Sequence, residues 1–378
     1  MRELVLESLD AGTPLRIAGK STWIDAGRPV GAERIASLAA HAGVVEYTPG
    51  DLTITVKSGT TLGDIERISS ENGQWLPLDP FGSRDGTIGA TIATGSFGPL
   101  AHAFGRARDL VLGLEFVTGQ GKVVRGGGKV VKNVAGFDLV RLMTGSWGTL
   151  GIITEVTLRL YSLPQSSVTV SLGAADSETA LRQRIDSILS SPGIPLAVEL
   201  LDADTASMIG LSDKQQILVR LGGNTAAVDA QRAALQSLGG IREVEPEVSD
   251  RLRNIEEKIM GDAPDGEPPV VLRLSSLPQH VAHIWNSARN IMSGIAGGAM
   301  HATPSLGIVR CIIPASTPLD TIERMVSWPQ TTVIFERLRS SAWRILSPTV
   351  VNNALAQRVK RAFDPDNLLN PGILGPLE

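Results

Sequence analysis

Few residues of this 378-residue chain have side chains suited to reactive chemistry, and the strongest chemical signal lies in its backbone. The one cysteine, Cys311, excludes an internal disulfide and any zinc or iron–sulfur site built from thiolates of this chain alone. His301, in GGAMHATPS, is a lone imidazole with no carboxylate or second ligand near it in sequence to set its tautomer. It reads either as a satisfied structural histidine or as a proton acceptor. Glycine is more informative: 25 of the 40 glycines fall in the first 163 positions. Glycine is favoured where backbone takes positive φ or comes close to a ligand, so the first part reads as a loop-rich binding domain.

Three segments concentrate that signal. PLRIAGKST, Pro14 to Thr22, ends in Gly-Lys-Ser but has Pro14 where a nucleoside-triphosphate loop needs its first glycine, and no helix start follows it. A strand running into a turn at Gly19, Ser21 and Thr22 can offer successive N–H groups to a pyrophosphate, or it is an ordinary β-turn. TIGATIATGSFGPLAHAFGRARDLVLG, Thr87 to Gly113, has side chains so small that backbone must face its neighbour, which suits a flat cofactor or a tightly packed connection. No GxGxxG follows a strand and opens a helix, so a nicotinamide-type domain has no support. The third segment is KVVKNVAGFDLVRLMTGSWGTLGIITEVTLRL, Lys129 to Leu160.

The elements that position these segments follow from periodicity. Strands are expected at Pro14 to Ala18, Leu52 to Val56, Leu110 to Thr118, Lys122 to Val124 and Gly151 to Leu160. Helical spacing marks Ala32 to Ala42 and, behind Thr60-Thr61 as caps, Leu62 to Asn72. After Ser166 strands near Val168 to Leu172, Ala197 to Leu201, Ile217 to Leu221 and Val270 to Ser275 alternate with helices. The first helix carries Leu181, Ile185, Ile188 and Leu189 on one face behind Asp176 or Ser177; others run near Val228 to Leu238 and Gln279 to Ser293. That pattern suits an α+β sheet covered on one face. Thr349 to Phe363 reads as a helix, and FDPDNLLNPG is a dense turn signal. The expected division is 1–163, 164–340 and 341–378, with a boundary at Leu163-Pro164.

Composition narrows the function. Hydrophobic residues make up 42% and charged ones 20%, as in an ordinary globular protein. Lys plus Arg number 35 against 39 Asp plus Glu, for a net charge of −4, which argues against nonspecific binding to nucleic acid or anionic lipid and favours a small-molecule partner. No apolar run reaches the ~18 residues of a membrane span, and MRELVLESLDAG lacks the pattern of an export signal, so a cytoplasmic chain is expected. Lys122, Arg125, Lys129 and Lys132 beside Gly126 to Gly128 read as a solvated hairpin or as a docking face for an acidic partner. The six tryptophans read mainly as packing, with Trp147 expected near a cofactor.

The three segments together resemble the vanillyl-alcohol-oxidase superfamily, with its PCMH-type FAD-binding domain. KNVAGFDLVRLMTGSWGTLGIITEVTLRL and the terminal FDPDNLLNPGIL are similar to the FAD-binding subunits of bacterial glycolate oxidase, the smaller flavin subunit in particular. The resemblance implies an α+β protein: an FAD domain of two α+β subdomains, an α+β cap and a carboxyl-terminal segment returning to the flavin domain. It assigns Arg16, Ile17, Ala18, Gly19, Lys20, Ser21 and Thr22 to the first pyrophosphate loop. Thr87, Ile88, Gly89, Ala90, Thr94, Gly95 and Ser96 fall on a second loop around pyrophosphate and isoalloxazine, and Gly148, Gly151 and Ile152 on the strand entry beside the cofactor. Relatives with covalent flavin have a histidine in the first loop and this chain has none, which implies noncovalent FAD, with His102 a remote candidate for attachment.

Oxidising a 2-hydroxy acid needs a base for the hydroxyl proton, a cation for the carboxylate and the flavin to take hydride. The resemblance offers Arg273 as the cation, against the alternative of a strand-end arginine in a surface ion pair, and His301 as the base. Metal-dependent relatives carry an HxGDGNxH stretch and a Glu-His pair; here only His301 and Glu336 match, so no metal site is expected. The family also implies a second flavin subunit and an iron–sulfur subunit, with the membrane reached only through the complex, peripherally at its inner face. A self-sufficient D-lactate-type dehydrogenase and a flavin-holding scaffold are the rival expectations.

Overall fold

The computed structural model describes residues 1–128, 137–260, 267–326, 328–346 and 353–375. Lys129 and Lys132, and the first residues of the helix expected from Thr349, lie outside them. The chain divides into two compact units: Met1–Gly98, Phe104–Leu163 and Val350–Glu378 form the first, and Pro99–Ala103 with Pro164–Thr349 the second.

In the first unit β1 (Leu15–Ala18) pairs in parallel with β2 (Arg34–Ser37). The helix expected over Ala32 to Ala42 is therefore corrected to a strand. Its four residues give one ladder to β1 and bury only Ala36, so nonlocal pairing overrides the local helical spacing. A five-stranded antiparallel sheet follows from β3 (Val44–Thr48), β4 (Thr53–Lys57), β6 (Val111–Val117), β7 (Val123–Gly127) and β8 (Ile152–Arg159), in the order β3-β4-β8-β6-β7. The pair between β5 (Gln74–Trp75) and β9 (Tyr161–Ser162) stands apart from it. The helix Leu62–Ser70 starts where Thr61 accepts from the Asp64 N–H at 3.0 Å, and its Leu62 and Ile65 pack into the core with Ile54, Val56, Phe116 and Val156.

The second correction concerns Thr87 to Ser96, expected as a loop. It contains a helix, Ile88–Thr94, that Gly95 ends at φ +66°. Ile88 and Ile92, four residues apart, share one face and are fully buried, which turns small-residue backbone into a packed element. Gly89 explains the closeness: a Cβ there would lie 2.6 Å from the Ser58 Cβ.

The second unit is built on one eight-stranded sheet. Its strands are β10 (Ser166–Gly173), β11 (Ala197–Leu201), β12 (Gln216–Gly223), β13 (Ile241–Val244), β14 (Val270–Ser275), β15 (Ala299–Thr303), β16 (Ile308–Ile313) and β17 (Thr332–Arg337). Their order is β13-β10-β12-β11-β15-β16-β14-β17, and neighbouring strands pair antiparallel. Alternate residues such as Val198, Leu200, Leu272, Leu274, Val309 and Cys311 join the helices Glu178–Leu189, Thr225–Leu238 and Val281–Met292 in one core. Ser177, rather than Asp176, caps the first of these. The intervening residues point the other way, and they are polar or charged: Glu199, His301, Arg310 and Arg273. That face is not bare, because Glu256 of the helix Ile255–Met260 packs onto Arg310.

Candidate functional site

In the first unit the three small-residue segments meet around one asparagine. β1 is flanked on its other side by the carboxyl-terminal segment: the Leu15 N–H donates to Leu368 O at 2.8 Å and the Asn370 N–H to Leu15 O at 2.9 Å. The Asn370 side chain then bridges outward. Its Oδ1 accepts from the Ile17 N–H at 2.8 Å, and its Nδ2 donates to Trp147 O at 2.7 Å, tying the first segment to the third. The third is tied to the second by Trp147 N–H to Ala93 O at 2.7 Å and Gly145 N–H to Ile92 O at 3.0 Å. The second reaches the first where a Cβ on Gly19 would collide with the Thr87 hydroxyl.

Of the residues expected to hold the cofactor, Arg16, Ile17 and Ala18 lie on β1, and Gly19, Lys20, Ser21 and Thr22 form the turn after it. Ser21 takes φ +62°, a conformation that turns backbone N–H groups toward one side. Thr87 precedes the helix that holds Ile88, Gly89, Ala90 and Thr94; Gly95 ends it, and the Ser96 hydroxyl lies 2.7 Å from that of Thr94. Gly148, at φ +70°, is pressed against Ile17 and Asn370, so a side chain there would part the segments. Gly151 has a packing reason of its own, since a Cβ would lie 2.6 Å from Phe116 and 3.0 Å from Val117 O. Ile88 and Ile152 bury their side chains fully in the core, leaving only backbone for a ligand. Trp147, at φ +55°, stacks on Trp23 at 6.1 Å between centroids.

Whether these residues fit FAD can be tested on their unmet polar groups. Thr87 Oγ1, Ser58 Oγ, Ser146 Oγ and Arg16 Nη1 are buried without a hydrogen-bond partner. A buried polar atom left so costs about 1–3 kcal/mol, and such atoms gather where a ligand completes the bonding. Arg16 also donates through Nη2 to Ile24 O at 2.5 Å; burial lowers its pKa, the Asp25 charge works against that, and the guanidinium stays cationic. Buried hydroxyls, a cation and a turn of convergent N–H groups are the donor set a pyrophosphate requires, so the residues fit the group. Close by, Leu142, Leu150, Leu355 and Val359 help wall a cavity of about 330 Å³ that Ser146 and Asn370 also line.

The carboxyl-terminal segment is held by a buried ion pair. Lys360 Nζ donates to Asp364, to Thr149 O at 2.8 Å and to Leu369 O at 3.0 Å, while Asp364 accepts from the Leu368 and Leu369 N–H groups at 2.9 and 2.8 Å. Sequence reasoning marked this stretch as a turn but missed Asn370 and Lys360 as the groups that pin it. Their partners lie 353 and 211 residues away.

In the second unit, Arg273, Arg310 and His301 stand directly opposite one another on β14, β16 and β15. Glu336 joins two of them: Arg273 Nε is 3.3 Å from its Oε1 and Arg310 Nε 2.9 Å from its Oε2. Glu256 takes the other side of Arg310 and also accepts from Arg337 at 2.9 Å. Three guanidinium groups thus share two carboxylates. Burial works against the charge on Arg310, but Glu256 and Glu336 more than offset it and its pKa rises. Arg273 keeps 22% side-chain exposure, so it is neither in a surface pair nor sealed in the core.

His301 differs from its expected isolation. Its Nδ1 lies 3.0 Å from Glu199 Oε2, and Thr303 donates to the other oxygen of that carboxylate. The partner carboxylate that sequence could not supply stands on β11, 102 residues earlier. Burial and the Arg310 charge lower the His301 pKa well below its ordinary value, so the ring is neutral at pH 7. Among the described residues no group of three or more His, Cys, Asp or Glu side chains gathers as a metal site, and no helix is long and apolar enough to cross a membrane.

Parts of the chain match known proteins. An FAD binding domain matches residues 1–127, and the C-terminal domain of FAD linked oxidases matches residues 346–374. Glycolate oxidase subunit GlcE of Escherichia coli is 41% identical over 184 residues, 47% of this chain and 52% of that protein. Glycolate oxidase subunit GlcD of Bacillus subtilis is 37% identical over 166 residues, 44% of this chain and 35% of that protein. The chain thus spans about half of the one relative and about a third of the other. Among solved structures, p-cresol methylhydroxylase with bound substrate superposes with a TM-score of 0.71 at 17% identity, over 100% of this chain and 87% of that one, a likeness of fold. Residues 1–127 and 346–374 of this α+β chain thus match the FAD binding domain and the C-terminal domain of FAD linked oxidases, on a fold shared with p-cresol methylhydroxylase, and its cofactor is FAD.

Proposed function

We propose that this chain is an FAD-binding subunit of a glycolate-oxidase-type 2-hydroxy-acid dehydrogenase, oxidising glycolate to glyoxylate and passing electrons to an iron–sulfur partner. The observation that carries the reading is the meeting of three segments around Asn370, with the unmet hydroxyls of Ser58, Thr87 and Ser146, in a chain 41% identical to a glycolate oxidase subunit over 184 residues. When bound, FAD supplies a two-electron acceptor. The turn from Gly19 to Thr22 and the Arg16 guanidinium hold its pyrophosphate, the Thr87 and Ser146 hydroxyls complete their bonding on it, and Gly95, Gly148 and Gly151 keep backbone close. No histidine stands in that turn, and the cofactor is bound noncovalently.

Arg273 takes the substrate carboxylate. Its guanidinium already pairs with a carboxylate, Glu336, and its 22% exposure leaves room for a second in a charge-assisted contact. His301 is 1% exposed and neutral; with Glu199 it sets the shape and polarity of the sheet face beneath Arg310. Cys311 is the one cysteine of the sequence and is buried, too few thiolates for a cluster built from this chain alone. Electrons leaving in single steps need an iron–sulfur subunit, and the complex also contains a second flavin subunit. We assign FAD binding to 1–163 and 341–378 and the cap to 164–340, and a cytoplasmic location with membrane contact through the complex alone.

The test is purification of the chain with and without its partner subunits. Acid precipitation should release the yellow colour, and anaerobic glycolate should bleach the flavin in the complex. Arg273→Met should then raise KM for glycolate or lower kcat while FAD content and assembly hold. Unchanged kinetics would remove the substrate site and leave the chain a flavin-holding scaffold.

A further inference from the structure

Arg273 has two neighbours on β17, Ile334 and Glu336, whose chemistry bears on what it can bind. β17 is the outer strand of the eight-stranded sheet, and Ile334 lies directly opposite Arg273. Residues opposite one another in antiparallel strands share a face, with Cβ atoms roughly 4.5–5.5 Å apart. Val333 and Phe335, on the other face, enter the core, whereas Ile334 is 36% exposed. A β-bulge places the second neighbour. Phe335 pairs with Leu272 and Arg337 with Val271, so Glu336 is the extra residue on β17. A regular pleat sends consecutive residues to opposite faces. The bulge keeps Glu336 and Arg337 on one face, where Glu336 reaches Arg273 and Arg310 while Arg337 reaches Glu256. Arg310 and Arg337 are buried, so of these three guanidinium groups Arg273 is the one open to a solute. An anion paired with it has an apolar side chain on one side and the Glu336 carboxylate on the other.

Resting on the proposed oxidation of a 2-hydroxy acid whose carboxylate sits on Arg273, we infer that β17 selects the substrate class: Ile334 and Glu336 admit 2-hydroxy acids with one carboxylate, unsubstituted or with a short alkyl group, and reject those with a second. A second carboxylate beside Arg273 either meets the like charge of Glu336 or gives up its water against Ile334. The cations that could neutralise it, Arg310 and Arg337, are buried and already paired with Glu336 and Glu256. An alkyl group meets neither penalty and gains apolar contact with Ile334. Glu336 also acts as a positioning residue. Its Oε2 accepts from the buried Arg310 at 2.9 Å, which fixes the carboxylate whose other oxygen stands 3.3 Å from Arg273 Nε.

The experiment uses the FAD-loaded chain with its partner subunits and follows anaerobic flavin reduction by glycolate, D-lactate, D-2-hydroxybutyrate, D-malate and D-2-hydroxyglutarate. By kcat/KM the wild-type complex should favour the three monocarboxylic acids about 10²-fold. Ile334→Lys, at an exposed edge-strand position where lysine is well tolerated, gives a second carboxylate a partner and should cut that preference about tenfold. Glu336→Gln should cut it as well, and raise KM for every acid because Arg273 is held less firmly; a merely structural Glu336 would weaken all five acids alike and leave their ratio unchanged. Independently of turnover, calorimetric titration of the same complexes with pyruvate and 2-oxoglutarate should show the same preference and the same shifts. Wild-type complex that none of the five acids reduces would refute the dehydrogenase reading and the selection with it. Complex reduced as readily by D-malate or D-2-hydroxyglutarate as by glycolate would overturn the selection alone, and so would Ile334→Lys and Glu336→Gln variants that keep the wild-type ratio.

Discussion

Lys360→Met tests whether the carboxyl-terminal segment is a clip that sets the geometry of the FAD site. The lysine is 7% exposed and Asp364 1%, so the substitution strands a carboxylate in the interior. Removing one partner of a buried pair costs about 3–5 kcal/mol. Two backbone N–H groups, from Leu368 and Leu369, still hold Asp364, which puts the cost at the lower end, about 3 kcal/mol. In a unit of about 190 residues that lowers Tm by roughly 6–12 °C. Because Asn370 lies six residues beyond Asp364 and fixes both Ile17 and Trp147, FAD affinity should fall alongside. Calorimetry of the apoprotein and flavin titration measure the two effects. Lys360→Met/Asp364→Asn removes the stranded charge and should recover part of the stability. A single variant that loses under about 1 kcal/mol, or a double variant no more stable than the single, would refute the clip.

Three further outcomes follow from buried groups. Thr87→Val removes a hydroxyl that is buried without a partner; the apoprotein should gain up to about 1–3 kcal/mol while FAD binds more weakly, and tighter flavin binding in the variant would contradict the site. Gly151→Ala places a methyl 2.6 Å from Phe116, so urea unfolding should show a loss of about 1–3 kcal/mol even without flavin; an unchanged apoprotein would point to the cofactor as the sole reason for glycine. Burial raises the Asp202 pKa to about 6, against its hydrogen bonds to Thr205. A folded pKa above the unfolded value near 3.8 means that stability present below pH 4 is lost as pH rises through 6. Asp202→Asn, which can still cap the helix Ala203–Met208, should flatten that dependence and stabilise the protein at pH 8 by at most about 3 kcal/mol; a variant whose melting temperature falls with pH as the parent's does would exclude it.

What the amino-acid sequence determined by itself is local. The alternation in Val270 to Ser275, the capped apolar face of Leu62 to Ser70 and the glycines from Gly19 to Gly151 each act through neighbours in the chain, so their types and spacing announce strand, helix and close backbone approach. The same spacing misled at Arg34–Ser37, where pairing with β1 decided for a strand, and at Ile88–Thr94, where burial of two isoleucines against the core decided for a helix. The site's connections were out of reach for a different reason. Asn370 bonds Ile17 across 353 residues, and Glu199 meets His301 across 102. Such pairs exist only once sheet order and register are set, and register fixes which side chains share a face. Tertiary structure therefore decided which imidazole is sealed against a carboxylate, because burial and partnership belong to the folded surface and not to any stretch of chain.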